Sequence, residues 1–507
     1  MITRKQVLAA SVAAAMAPAA MAGTDIFFNP LTQSAVVAEP NSPVEIMSPW
    51  LMPAGLTQVG LTSLSEAEGL AGQSMIRVPG VGRSASMIDM SAYDPSGRYV
   101  FLPHETPFGA GASRYDTQTD TVETIFAGDQ GGANDDWSND YAAFDPSTWT
   151  PNGTLFLAEE WSGEGRVIEI LNPLAPADSI EYRELESIAN VAHEGLRFSA
   201  DGKTLYYVDE WNSGSIYKFV MDKTGDYTVG RTYVLVVDGF TGVASDNWND
   251  ESNENAIRTG YATWVPITDH RGNATTQVDP FRNGPTNDPR ENNDTRGGRP
   301  AADEVNGTPF GRPEDMEIGR LGNGREVMYF AATSERTIYG VEMLSNKRAI
   351  VRVAASDDGT PKNLNFPATS GVLNSPDNLA QDALGNIYVI EDAPNGSSVG
   401  GDIWFMRDTN SDGVAESLDH FLSIQVGGSE ATGMIFNPSK PTEFVVSVQH
   451  PSSTDLEEVP GGFGDALWQF DLANIVPPPC PAWTLATCTD ISDFDFPNAL
   501  NQAGGNP

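Results

Sequence analysis

The feature that most restricts this chain is a pattern that recurs along its length. A short apolar run leads into a turn built on Asp-Pro or Gly, then an apolar strand, then an acid or amide. It occurs in "YDPSGRYVFLPHE", "FDPSTWTPNGTLFLAEE", "LRFSADGKTLYYVDE", "MEIGRLGNGREVMYFAATSE", "LAQDALGNIYVIEDA" and "IFNPSKPTEFVVSVQH". Gly or Asn between β-rich runs marks each as a hairpin. Most are followed by a further strand, such as "GRVIEI", "GSIYKFV" or "GDIWFM". The closing acids Glu105, Glu160 and Glu210 recur at about 50 residues, as do Glu335 and Glu391, which is propeller spacing with about four strands per unit. Six such units close into a ring without exposed edges. The expected fold is therefore all-β, a six-bladed β-propeller over residues 91–475. Helical patterns are scarce, which leaves a doubly wound α/β fold without support. Residues 245–307 are too polar for a core and are expected to form a surface insertion that returns just before "FGRPED".

The two ends differ from this body. Residues 1–22 carry Arg4 and Lys5, an alanine-rich run and Ala20-Met21-Ala22, the layout of a cleaved signal peptide. Thr3-Arg4-Lys5-Gln6-Val7-Leu8 resembles a twin-arginine signal, and Sec export is equally open. The protein is expected to be periplasmic or secreted. Residues 23–90 form a Pro-rich lead segment, and 476–507 a short C-terminal tail. Cys480 and Cys488, the two cysteines of the chain, are expected to form a disulfide in that tail. No later run is apolar enough for a membrane helix. The formal charge of −40, from 29 basic and 69 acidic side chains, opposes nucleic acid and attracts cations. A monomer is expected.

Equal register would bring corresponding strand ends to one end of a ring. That gathers Glu105, Glu159, Glu160, Asp209, Glu210, Glu391 and Asp392, with His193, Glu194, Asp377, Asn378, Glu430, Gln449 and His450 nearby in the pattern. So many carboxylates repel one another unless cations neutralise them, and oxygen donors suit calcium. A separate calcium signal is "DTNSDGVAESLD": Asp408, Asn410 and Asp412 alternate, Gly413 permits the turn, and Asp419 falls in the twelfth place of an EF-hand type loop. In "FGRPEDMEIG", Arg312 precedes Glu314 and Asp315 with Pro313 between them, a cation fixed beside acids that an ordinary surface salt bridge would also explain. No Gly-x-Ser-x-Gly elbow or phosphate-binding P-loop is present.

"HETPFG", "AEEW", "AHEGLRF", "GSIYKFV", "RPED", "SPDNLAQD", "EATGMIF" and "VSVQHP" occur in an order that resembles the PhoX-type alkaline phosphatases, from about residue 90 to 470. The resemblance implies a six-bladed propeller carrying iron and calcium at one mouth and hydrolysing small phosphate monoesters. Residue by residue it implies that Arg312 grips phosphate and Glu314 binds metal, with Glu159, Glu160, Glu194, Asp377 and Glu430 as further metal ligands. It also implies a cysteine ligand to iron just before the paired glutamates, where this sequence has Ala158. The iron centre is thereby left open. Two other functions stay open as well: a calcium-dependent lactonase or esterase, and a non-catalytic metal-binding propeller.

Overall fold

The computed structural model describes residues 26–66, 88–106, 109–128, 140–281, 296–392, 401–454 and 462–475. The expected signal peptide and disulfide lie outside them. The described residues form an all-β, propeller-like arrangement of antiparallel meanders with two short helices, Pro43–Met47 and Gly298–Glu304. No described helix is long and apolar enough to cross a membrane.

Among the described residues there are five sheets where the repeat suggests six. One contains Ala92–Tyr93, Tyr99–Pro103, Gly111–Asp116 and Thr121–Ala127, and the next Phe144–Trp149, Leu155–Glu159, Val167–Ile170 and Tyr182–Glu184. The largest has nine strands. Two four-stranded meanders, Leu196–Phe198 to Gly230–Val237 and Pro313–Arg320 to Arg348–Ser356, are fused through Gly260–Pro266, which pairs with the outermost strand of each. That bridging strand comes from the segment expected to be a surface excursion. The expectation fails because "GYATWVP" is a short apolar strand inside a polar run: it buries Trp264, and Gly298–Glu304 adds buried Ala301 and Ala302.

The lead segment has a structural task. Trp50–Leu51 adds a fifth strand beside Ser417–Ile424. Thr57–Ser63 pairs with Ala466–Asp471 and completes the last sheet, so that sheet draws on both ends of the chain. Phe28 packs edge-on to Phe405 and against Phe421. The core lies between sheets: Tyr388, Phe405 and Phe421 face Phe436, Phe444 and Phe470 in one layer, and Phe156 and Ala158 face Leu196, Phe198 and Tyr207 in another.

The first strand of each meander sits innermost and lies against the first strand of the next, from Ala92–Tyr93 through Phe144–Trp149, Leu196–Phe198, Pro313–Arg320 and Pro376–Gln381 to Glu430–Phe436. Gly433 then backs directly onto the Asp89 carbonyl, where a Cβ would stand 2.6 Å from the oxygen. Trp468 locks the shared last sheet, its ring covering Gly60 of the N-terminal strand. Trp468→Ala is expected to lower unfolding free energy by about 3–5 kcal/mol, measured by denaturant titration; a change below about 1 kcal/mol would mean this seam is not part of the cooperative core.

Candidate metal centre

Four of the inner strands open with an irregularity that carries an acid, whereas in Glu430–Phe436 Glu430 pairs regularly with Gln449 and the slip falls between Thr432 and Ile435. Register slips by one residue between Phe144 and Ser147, between Pro313 and Met316, and between Pro376 and Leu379. Ile88 and Ala92 face His104 and Phe101, so one extra residue sits there too. A β-bulge leaves that extra residue unpaired and re-aims its side chain. The residues so placed are Asp89, Asp145, Glu314 and Asp377, and Glu194 occupies the corresponding stretch before Leu196–Phe198. Glu105 and Glu160 follow the ends of the second strands of their hairpins.

The result is a continuous row. Carboxylate oxygens of Asp89, Glu105 and Asp145 lie within 4.8 Å of one another, as do those of Asp145, Glu160 and Glu194, and those of Glu194, Glu314 and Asp377. Asp145 and Glu194 each belong to two triads. Both Glu314 oxygens, Glu194 Oε2 and Asp145 Oδ1 are buried and accept no hydrogen bond of normal geometry. Burial pushes the Asp89 carboxyl up to about 7 and that of Glu105 up to about 8. Asp145, Glu160, Glu194, Glu314 and Asp377 are raised well above the usual carboxylate range, first by burial and then by the charge of adjacent acids. These acidic triads could hold metal: the donors are all hard oxygens, and cations would satisfy the orphaned ones.

Arg312 stands at the rim with its side chain 39 % exposed. Its Nε donates to Glu210 Oε1 at 2.5 Å, and Nη2 lies 3.3 Å from Glu314 Oε1. Glu430 lies at the far side, 2.6 Å from His450 Nε2, its carboxyl pushed up to about 12 by burial and then by Asp392.

Other sequence candidates lie elsewhere. Glu159 is not brought to the row. Side chains alternate along a strand, so Glu160 faces the acids while Glu159 turns the other way. There it meets the Arg166 guanidinium, with Nε–Oε2 2.7 Å and Nη2–Oε1 2.8 Å. Asp209 is likewise held by Arg299, and Glu391 accepts from Trp404 Nε1. Ala158 packs in the apolar core and offers no ligand atom. Asp408, Asn410 and Asp412 sit in the hairpin turn between Asp402–Arg407 and Ser417–Ile424, where their carboxylate and amide oxygens accept backbone N–H groups of the turn. Asp419 does not join them, because a strand rather than a helix follows the loop. It pairs with Arg407 at 2.8 Å, and Glu416 is the acid that folds back on Thr409 and Asn410.

Asp89 and Asp145 escaped the sequence pattern. Asp145 looks like an Asp-Pro turn, and Asp89 precedes the first repeat. Their signal is register: each stands one residue after the last regular pair of its hairpin. Because Glu159 neutralises a buried arginine, Glu159→Ala is expected to cost about 3–5 kcal/mol of stability while bound-metal content stays unchanged, measured by denaturation and elemental analysis; loss of metal with stability intact would place Glu159 among the ligands instead.

The sequence profile of the family described as Alkaline phosphatase PhoX matches residues 120–452. No curated protein sequence matches the chain. Among solved structures it resembles Pseudomonas fluorescens PhoX in complex with vanadate, a transition state analogue, with TM-score 0.58 and 14% identity, covering 88% of this chain and 98% of that one. A gluconolactonase from Xanthomonas campestris aligns at TM-score 0.38 and 10% identity over 86% of this chain and 98% of that one, too loosely to carry argument. With two-thirds of its length matched by one profile, the chain belongs to the alkaline phosphatase PhoX family, the phosphoric monoester hydrolases.

Proposed function

We propose that this chain is a secreted, metal-dependent phosphomonoesterase, acting as a monomer on small phosphate esters. Its active site is the row of carboxylates at one mouth of a six-bladed propeller, with the nine-stranded sheet counted as two bridged blades. The observation that carries this is the arginine at the rim of a buried acidic row. A phosphate ester is itself an anion and cannot approach seven uncompensated acids. Cations between them would remove that repulsion at alkaline pH, and the oxygen-only donor set favours calcium.

Asp89, Glu105 and Asp145, then Glu160 and Glu194, then Glu314 and Asp377 would hold the ions, with Asp145 and Glu194 shared between neighbours. Bound there, the ions would polarise the phosphoryl group and acidify a coordinated water. Arg312 supplies what the ions do not: planar N–H donors toward phosphoryl oxygens, with Glu210 and Glu314 orienting the guanidinium from behind. Arg312→Ala is expected to lower kcat/KM on an aryl phosphate by about 100-fold or more, with metal content retained. A chelator should abolish turnover of the parent protein, and lactones should not be hydrolysed. Arg312→Ala at parental kcat/KM would refute the phosphate-binding role.

The raised carboxyls give the cation dependence a pH signature. Without cations, folded Asp89 and Glu105 keep protons up to about 7 and about 8, whereas unfolded acids release them near 4. The native state then binds more protons across that window, so its stability falls as pH rises through it. Chelated protein is expected to melt at progressively lower temperature from about pH 5 to about pH 9, with calcium restoring most at the alkaline end. Equal melting temperatures at both ends would count against ion neutralisation of the row.

A further inference from the structure

Arg312 is a non-glycine residue held at φ +51°, in the left-handed region that glycine and asparagine usually occupy. Its surroundings explain how. Gly311 donates its N–H to Glu335 Oε1 at 2.7 Å, and Ser334 N–H donates to the Gly311 carbonyl at 3.0 Å. Arg312 N–H donates to the Trp211 carbonyl at 3.2 Å, and Thr333 N–H to the Arg312 carbonyl at 3.0 Å. All four backbone polar groups of this dipeptide are therefore engaged.

Gly311 is also sterically enclosed, since a Cβ there would stand 2.6 Å from Trp248 Nε1 and 2.7 Å from Glu335 Cγ. Glu335 is fixed from its other side by the Tyr339 hydroxyl, which donates to Oε2 at 2.6 Å, and the Tyr339 ring stacks on Phe330 and meets Phe310 edge-on. The spacing of the repeat makes Glu335 one of the closing acids, yet its carboxylate grips the amide before Arg312 instead of joining the acidic row.

We propose that Glu335 is a positioning residue for the phosphomonoesterase reaction: it clamps the Gly311 amide, keeps Arg312 in its left-handed conformation, and so aims the guanidinium at the phosphoryl group before substrate arrives. The inference rests on Arg312 as the phosphate-binding group. Its basis is geometric. Released from Glu335, the dipeptide relaxes toward ordinary φ values, and the side chain swings away from Glu210 and Glu314. Misplacing a positioned group by about 1 Å can cost up to about 100-fold in rate. The carboxylate acts here as a hydrogen-bond acceptor, so an amide of the same shape should serve.

The test is a set of variants assayed with an aryl phosphate and with inorganic phosphate as competitive inhibitor. Glu335→Ala is expected to raise KM and the phosphate inhibition constant together by about tenfold, with metal content unchanged. Glu335→Gln, which can still accept from Gly311 N–H, is expected to stay within about twofold of the parent. Adding Glu335→Ala to Arg312→Ala should have no further effect on either constant, because the residue acts through the arginine. Parental constants in Glu335→Ala, beside a defective Arg312→Ala, would overturn the clamp alone. So would losses that add in the double variant. Parental constants in Arg312→Ala would remove the phosphate-binding reading and the clamp with it. If Glu335→Ala is too unstable to assay, Tyr339→Phe frees one side of the same carboxylate and is judged by the same outcomes.

Discussion

Repulsion among buried acids is the interaction on which the rest of this structure depends. Seven carboxylates stand in linked triads, four of them buried and three partly exposed, and like charges so close and so poorly solvated oppose folding unless protons or cations intervene. The fold tolerates the arrangement because the acids are distributed over five different hairpins, each rigidly paired along its length. Strain from the row is then borne by many ladders and concentrated in none. On the proposed reading the arrangement has a purpose, since a metal-dependent hydrolase of phosphate esters would use such an anionic cage to hold its cations.

The device that builds the cage is small. One additional residue at the head of an inner strand frees a single side chain from the alternation of the pleat and turns it to the axis. Asp89, Asp145, Glu314 and Asp377 all use it. Elsewhere the same hairpins spend their acids on scaffolding: Glu159 on Arg166, Asp209 on Arg299, Glu317 and Asp315 on Arg197. The buried arginines are committed to acids, and Arg312 pairs with Glu210 and Glu314 as well but keeps part of its side chain exposed.

Much of the fold was legible in the sequence because its signals are local: turn residues, strand alternation and a steady repeat length. The bridging strand Gly260–Pro266 was not, since its partners come from strands on both sides and its short apolar core is diluted by polar neighbours. At the site, Glu105 and Glu160 could be named from strand-end position, Glu194 and Asp377 from the short motifs around them, and Glu314 from the motif shared with the family. Asp145 could not, because the same Asp-Pro-Ser tripeptide serves twice. In one place Asp94 accepts from the N–H groups of Ser96 and Tyr99 and makes a turn; in the other, Asp145 opens a bulge and the turn falls at Thr150–Gly153. Composition cannot distinguish those uses, whereas pairing register can. Asp419 failed for a related reason: spacing alone does not reveal whether a helix or a strand follows a loop.

The shared last sheet carries a further consequence. Thr57–Ser63 finds its partner more than 400 positions later along the chain, at Ala466–Asp471. A nascent polypeptide must therefore carry that edge unpaired until Ala466–Asp471 has been made, and the circle can seal only then. Asp89, the first acid of the row, receives the Thr432 hydroxyl from the last sheet, so its surroundings are complete once the C-terminal strands have arrived.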